Sequence, residues 1–178
     1  LADRETVSVI EGEASFVDDR TVKVVAGDDE LIGSAPQIFI NTGAESIIPD
    51  IPGVDKPFVY TSTELLDKMT QPKHLAIIGG GYIGLEFAST YAKLGTKVTV
   101  FERGDSLLTR EDPTIAQAAT EVLQAQDIKI VFSVDVTAIE GESTATIRTV
   151  NHDDYAGYDA VLIATGRRPA TMSLNLPA

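Results

Sequence analysis

Apolar positions change their period twice along this chain. Over residues 12–17 and 20–26 apolar and polar positions alternate in runs too short for a helix, which predicts two strands, with a turn at Gly27, Asp28 and Asp29 and a further strand at 38–40. Asn41, Thr42 and Gly43 end that strand. Pro49, Pro52 and Gly53 then make an extended linker, because each proline removes a backbone donor and turns its neighbour away from helix; a domain crossing is expected there. Beyond it, Thr61 and Glu64 have capping-box spacing and open a short helix through Leu65, Leu66 and Met69, which Pro72 stops.

From His74 the pattern is that of alternating buried strands and helices. The run LAII at 75–78 is continuously apolar and breaks into Gly79, Gly81 and Gly84, after which a helix from Tyr82 to Leu94 runs up to Gly95. A β-branched strand at 97–101 follows and ends at Glu102. Asp112 and Pro113 suit the cap and first position of another helix reaching about Gln126, whose apolar stripe of Ile115, Ala118, Ala119, Val122 and Leu123 is expected in the core. Residues 128–132 read as a third parallel strand, and 134–139 and 144–150 as antiparallel strands joined at Gly141, Glu142 and Ser143. The apolar run 160–164 reads as a strand buried on both faces and ends in Thr165 and Gly166. The class is α/β. IFINTG at 38–43 and VLIATG at 161–166 also have the same shape, as a duplication would leave.

The glycines carry the first chemistry. In a Gly79-x-Gly81-x-x-Gly84 turn between strand and helix, the first glycine permits the tight turn, the second lets backbone approach a pyrophosphate, and the third lets the helix pack closely on the sheet. The helix N-terminus adds free N–H groups, here those of Tyr82 and Ile83, and a partial positive charge. Glu102, about twenty residues further on, has the position from which a carboxylate accepts both ribose hydroxyls of an adenosine. A dinucleotide is the expected ligand, the alternative being a glycine turn that only packs. A carboxylate at 102 favours NAD over NADP, whereas Arg103 or Arg110 past the strand offers a bidentate partner for a 2′-phosphate. Small backbone at Ala164, Thr165 and Gly166, and at Thr42 and Gly43, allows close approach to a nucleotide, or only turns after a strand.

Composition narrows the rest. A net charge of -13 argues against nucleic acid, and no apolar run has the length of a membrane span, so a soluble, cytoplasmic protein with no membrane partner is expected. No secretory leader is evident at Leu1. There is no cysteine, which removes disulfides and thiol chemistry from these residues, and two histidines, His74 and His152, leave no metal cluster or histidine triad. The start without methionine, inside a strand pattern, reads as a piece of a longer protein.

The strings GGGYIGLE at 79–86, VFE at 100–102, the Pro113 helix and ATGRRP at 164–169 together resemble the pyridine nucleotide-disulfide oxidoreductases, a family that includes dihydrolipoamide dehydrogenase, glutathione reductase and mercuric reductase. IFINTG at 38–43, RED at 110–112 and RRPAT at 167–171 look most like its mercuric-reductase-like branch, which contains the reactive-chlorine resistance flavoprotein. The resemblance implies a Rossmann-like FAD/NAD(P)-binding fold, a parallel sheet with an antiparallel β-meander plus a partial second β-rich domain. It implies that 1–53 is the later part of an FAD-binding domain, 54–166 the NAD(P)-binding domain, and 167–178 the return to the first.

The same resemblance implies an NAD(P)H-dependent, FAD-containing oxidoreductase whose whole form is a homodimer, and a monomeric fragment inactive by itself. It implies that Tyr82 lies over the flavin and swings aside for nicotinamide, and that Glu86 sits beside the carboxamide; these are the two candidate catalytic positions. A half-buried tyrosine and a solvated helix glutamate are the plainer alternatives. Gly79, Gly80, Gly81, Tyr82, Ile83, Gly84, Glu86, Glu102, Arg103, Ala164, Thr165 and Gly166 form the expected dinucleotide site, with Thr42 and Gly43 on FAD and no metal. Two other readings stay open: a domain of an NADH oxidase or ferredoxin-reductase type of flavoprotein, and a dinucleotide sensor without chemistry.

Overall fold

The computed structural model describes residues 6–68, 70–151 and 153–176, so Met69 and His152 lie outside the described residues. The chain forms two compact units, Leu1–Glu45 with Arg168–Ala178, and Ser46–Arg167.

In the smaller unit β1 (Glu13–Asp18), β2 (Thr21–Ala26) and β3 (Asp29–Ser34) form an antiparallel meander in that order. Gly27, at φ +63, turns β2 into β3. The strand expected at 38–40 is absent. Phe39 is 88% exposed and the segment has no ladder partner among the described residues, so the apolar run that reads as a buried strand lacks the neighbours that would bury it. The echo between 38–43 and 161–166 therefore stops at sequence, because only the second copy ends a strand. β4 (Ala44–Ser46) pairs with a strand near the other end of the chain, described below.

The larger unit is built on β5 (Val59–Tyr60), α1 (Ser62–Asp67), β6 (His74–Ile78), α2 (Tyr82–Lys93), β7 (Lys97–Phe101), α3 (Pro113–Gln124), β8 (Lys129–Val131), β9 (Val136–Glu140), β10 (Ala145–Thr149), β11 (Asp154–Tyr158) and β12 (Ala160–Ile163). β13 (Arg167–Pro169) pairs with β4, and a 3₁₀ turn at Met172–Leu174 follows. β3, β4, β5, β11 and β13 have no counterpart among the strands expected from the sequence. β5 is two residues long, and β11 (DYAGY) carries a glycine and a charge that weaken its pattern.

A five-stranded parallel sheet has the order β5-β12-β6-β7-β8. Successive side chains point to opposite faces, and both faces are covered. Leu75 and Ile77 of β6 and Ala160 and Leu162 of β12 pack with Leu65, Ala88 and Leu123 on the helix side. Ala76 and Ile78, with Val161 and Ile163, pack instead against Ile139, Ile147 and Tyr158 of the β9–β10–β11 meander. This two-sided burial is why both strands read as unbroken apolar runs.

The helix caps match their sequence signals. Thr61 and Glu64 form a reciprocal capping box on α1, and the Asp112 side chain accepts from Thr114 N at 2.8 Å with Pro113 beginning α3. The expected core stripe of α3 is corrected: Ile115 and Val122 are 56% and 58% exposed, Ala118 is exposed as well, and Ala116 and Leu123 are the buried contacts. The least exposed face runs through 116, 120 and 123, with Leu123 in the core shared with β6 and β12, so the helix is rotated from the orientation its largest side chains suggest. The unit boundary also falls before the proline segment. Pro52 belongs to the larger unit, where its carbonyl accepts from Ile139 N at 2.8 Å.

Candidate functional site

β7 and β8 lie to one side of β6, and β12 to the other, so the direction of strand succession reverses between β6 and β12. In an open α/β sheet the crevice at the carboxyl ends of such a pair is where ligands bind. Here those ends are Gly79 and Ala164. They touch closely: a Cβ on Gly79, whose φ is +113, would collide with the Ala164 carbonyl oxygen and lie 2.7 Å from its carbon. Gly84 is buried, and a Cβ there would collide with the Gly79 carbonyl, which explains how α2 sits so near the sheet.

Gly81 differs from both. It is the N-cap of α2 with extended backbone (φ -84, ψ -178), no side chain caps this helix, and a Cβ on Gly81 would meet nothing within 4 Å. α1 and α3 both have side-chain caps. The uncapped helix thus begins at the glycine turn, with the amides of Tyr82 and Ile83 in its first turn and open space beside Gly81. That is a cradle for an anion of phosphate size.

Glu102 continues β7 into the loop and is half-buried. Its carboxylate accepts from Gly80 N at 2.6 Å with one oxygen and from Gly104 N at 2.6 Å with the other. Arg103 projects elsewhere. Its side chain is 83% exposed and its Nε lies 3.9 Å from the Asp135 carboxylate. A cavity of about 380 Å³ opens beside Gly79, lined by Glu102, Arg103 and Asp135 on one side and by Ile47, Phe101 and Thr165 among others. Its rim at the β12 end is fixed by Thr165 Oγ1 donating to Ile47 O at 2.9 Å and by Ile47 N donating to Gly166 O at 3.0 Å.

Tyr82 and Glu86, one turn apart on α2, are both exposed, Tyr82 by 60%. A hydrogen bond from the Tyr82 hydroxyl to Glu111 holds the phenol above its ordinary range, with burial and the Glu111 charge adding to the effect. The larger unit therefore brings Gly79, Gly80, Gly81, Gly84, Glu102, Ala164, Thr165 and Gly166 together around the end of β6, with Tyr82, Ile83 and Glu86 in the first turns of α2 and Arg103 turned toward Asp135. Thr42 and Gly43 lie in the smaller unit, where Gly43 O accepts from Ala170 N at 3.0 Å. Sequence reasoning missed Gly104, Leu108 and Asp135. Leu108, at φ +49, donates its N–H to Gly80 O at 3.1 Å, so the loop after β7 grips the glycine turn by backbone that no side-chain pattern reveals.

The family model of the pyridine nucleotide-disulphide oxidoreductases matches residues 1–176. The chain belongs to this family. Among its relatives, the probable pyridine nucleotide-disulfide oxidoreductase RclA of Escherichia coli is 42% identical over 98% of this chain and 40% of its own length. A mercuric reductase of Staphylococcus aureus is 39% identical over 94% of this chain and 30% of its own. The solved structure of the HOCl-induced flavoprotein disulfide reductase RclA from Escherichia coli superposes with a TM-score of 0.86 over 98% of this chain and 39% of that one. The chain thus spans about two fifths or less of the length of these relatives. Among the described residues no helix is long and apolar enough to cross a membrane.

Proposed function

We propose that the larger unit is the nicotinamide-dinucleotide domain of a flavin-dependent oxidoreductase, that it favours NADH over NADPH, and that the smaller unit belongs to the FAD domain of the whole protein. The observation that carries this reading is the uncapped α2 N-terminus at the β6–β12 reversal, with open space at Gly81 and a carboxylate at Glu102. The amides of Tyr82 and Ile83 hold the pyrophosphate, and Gly79 and Gly84 keep strand and helix close enough for both to reach it. Glu102 accepts the adenosine ribose hydroxyls with lone pairs left over from its two amide bonds; a 2′-phosphate there meets a negative charge instead. Arg103 lies 3.9 Å from the Asp135 carboxylate, which competes with a 2′-phosphate for its charge. The nicotinamide end lies toward Ala164, Thr165 and Gly166, where Tyr82 and Glu86 orient and screen it.

A dinucleotide bound here would supply a hydride, and an FAD held by the whole protein would be its acceptor. A relative being a flavoprotein supports the FAD assignment, and Thr42 and Gly43 are the positions proposed to approach it. No cysteine is present in these residues, so a thiol step and the identity of the final acceptor rest on other parts of the protein. A homodimer is proposed for the whole protein and a monomer for this chain. Calorimetric titration of the chain with NADH and NADPH, repeated on Glu102→Ala, tests the reading. Tighter NADH binding that the substitution weakens by about ten- to hundredfold, the span of one or two hydrogen bonds to a charge, is expected, with a smaller loss for NADPH. Equal losses for the two would remove the ribose role.

A further inference from the structure

Glu102 makes two backbone contacts that ribose recognition does not require. Its two carboxylate oxygens are both engaged, by Gly80 N and Gly104 N at 2.6 Å each, distances at the short end for an amide bonded to an ionised acceptor. Gly80 precedes the α2 N-cap, and its own carbonyl is held by Leu108 N at 3.1 Å. Gly104 is tied in turn to the exit of β8, through Ser133 N donating to Gly104 O at 2.8 Å, while Val134 N donates to Glu102 O at 3.2 Å. One side chain therefore links the turn after β6 to the loop after β7, and backbone bonds tie that loop to the exit of β8.

Gly80 fits this arrangement sterically. It occupies a position that the Gly-x-Gly-x-x-Gly spacing leaves free, yet a Cβ there would stand 2.8 Å from Glu102 Oε2 and 2.7 Å from Leu107 Cδ2. Leu107 is fully buried. The absence of a side chain at 80 is what lets the carboxylate lie flat against the turn.

We propose that Glu102 is a positioning residue for the phosphate turn: by bridging the Gly80 and Gly104 amides it fixes the path of Gly80 and Gly81 into α2, and so sets affinity for the phosphates of any dinucleotide, separately from its contact with ribose. The proposal rests on the nucleotide reading above and adds a second role for the same residue. The two roles separate with a ligand that has phosphates but no ribose hydroxyls. 2′,3′-Dideoxyadenosine 5′-diphosphate is such a probe.

Glu102→Gln keeps the shape but turns an NH₂ group toward one of the two amides, and Glu102→Asp keeps the charge but is one methylene too short to bridge both. Each variant is expected to lose at least fivefold in affinity for the dideoxy diphosphate. In the free chain, the amide proton resonances of Gly80 and Gly104 are expected to move upfield in both variants and to exchange with solvent at least tenfold faster. Dideoxy diphosphate affinity within twofold of the wild-type chain, or tighter, overturns the proposal. Unmoved Gly80 and Gly104 resonances overturn it too. Failure of the wild-type chain to bind NADH would count against the nucleotide reading itself, whereas the amide signals report the clamp without any nucleotide.

Discussion

Replacing Gly81 by alanine is expected to leave the fold intact and abolish most dinucleotide affinity. Its φ of -84 and ψ of -178 suit alanine, and the new methyl meets no protein atom within 4 Å. Restricting the unfolded chain contributes about 0.4–1 kcal/mol, and alanine is a poorer helix N-cap than glycine by a similar amount, so the net change stays within about 1 kcal/mol. For a chain of this length that is a Tm shift of no more than about 4 °C. In the proposed function the pyrophosphate approaches on this side of Gly81. Pushing it back from the amides of Tyr82 and Ile83 weakens two hydrogen bonds to a charged group, each worth about 1.5–3 kcal/mol, so a loss of at least ten- to hundredfold in NADH affinity follows.

Gly79→Ala is the contrasting control. There the φ of +113 costs about 1–3 kcal/mol and the collision with the Ala164 carbonyl about 1–3 more, so thermal unfolding followed by circular dichroism should fall sharply. Calorimetry with NADH on the same Gly81→Ala preparation completes the comparison. The reasoning fails if Gly81→Ala binds NADH like the wild-type chain, or if it destabilises the fold as much as Gly79→Ala does.

Two further outcomes concern stability. Thr61→Ala removes the Glu64 N to Thr61 Oγ1 half of the capping box, at 3.4 Å, while Thr61 N can still donate to Glu64 Oε2 at 2.7 Å, and should cost about 1 kcal/mol, seen as a lower urea midpoint; no change would show that the hydroxyl cap does not hold α1. Burial raises the Tyr158 phenol above its ordinary value, a bond with Thr99 opposing and the Tyr155 charge adding. Because the folded form prefers the neutral phenol, this stabilisation is complete below about pH 10 and is lost as pH rises through the higher folded value. Tyr158→Phe, which cannot ionise, should therefore resist alkaline unfolding better than the wild-type chain above that pH, and identical alkaline transitions would exclude the assignment.

The strand, glycine turn and helix between His74 and Phe101 were legible because every signal in them is local: an apolar run, three glycines at fixed spacing, a C-terminal glycine and a β-branched strand. The caps at Thr61 and Asp112 were legible for the same reason. The orientation of α3 was not, since Ile115 and Val122 look like core by size while the buried face runs through Ala116 and Leu123. At 38–40 the residue types of a buried strand are present, and burial depends on neighbours that the types do not specify. Within the site, the position of Glu102 was readable from its distance to the glycines, but its bonds to Gly80 and Gly104 run to backbone and leave no mark in residue identity.

In the proposed function a nicotinamide dinucleotide crosses the carboxyl ends of β6 and β12 with its phosphates on the α2 N-terminus. A crystal structure of the chain soaked with NADH tests it most directly. The account predicts pyrophosphate oxygens within hydrogen-bond distance of Tyr82 N and Ile83 N, ribose hydroxyls on Glu102, and nicotinamide toward Thr165. Density for the dinucleotide elsewhere on the chain, with the glycine turn bare, would contradict it.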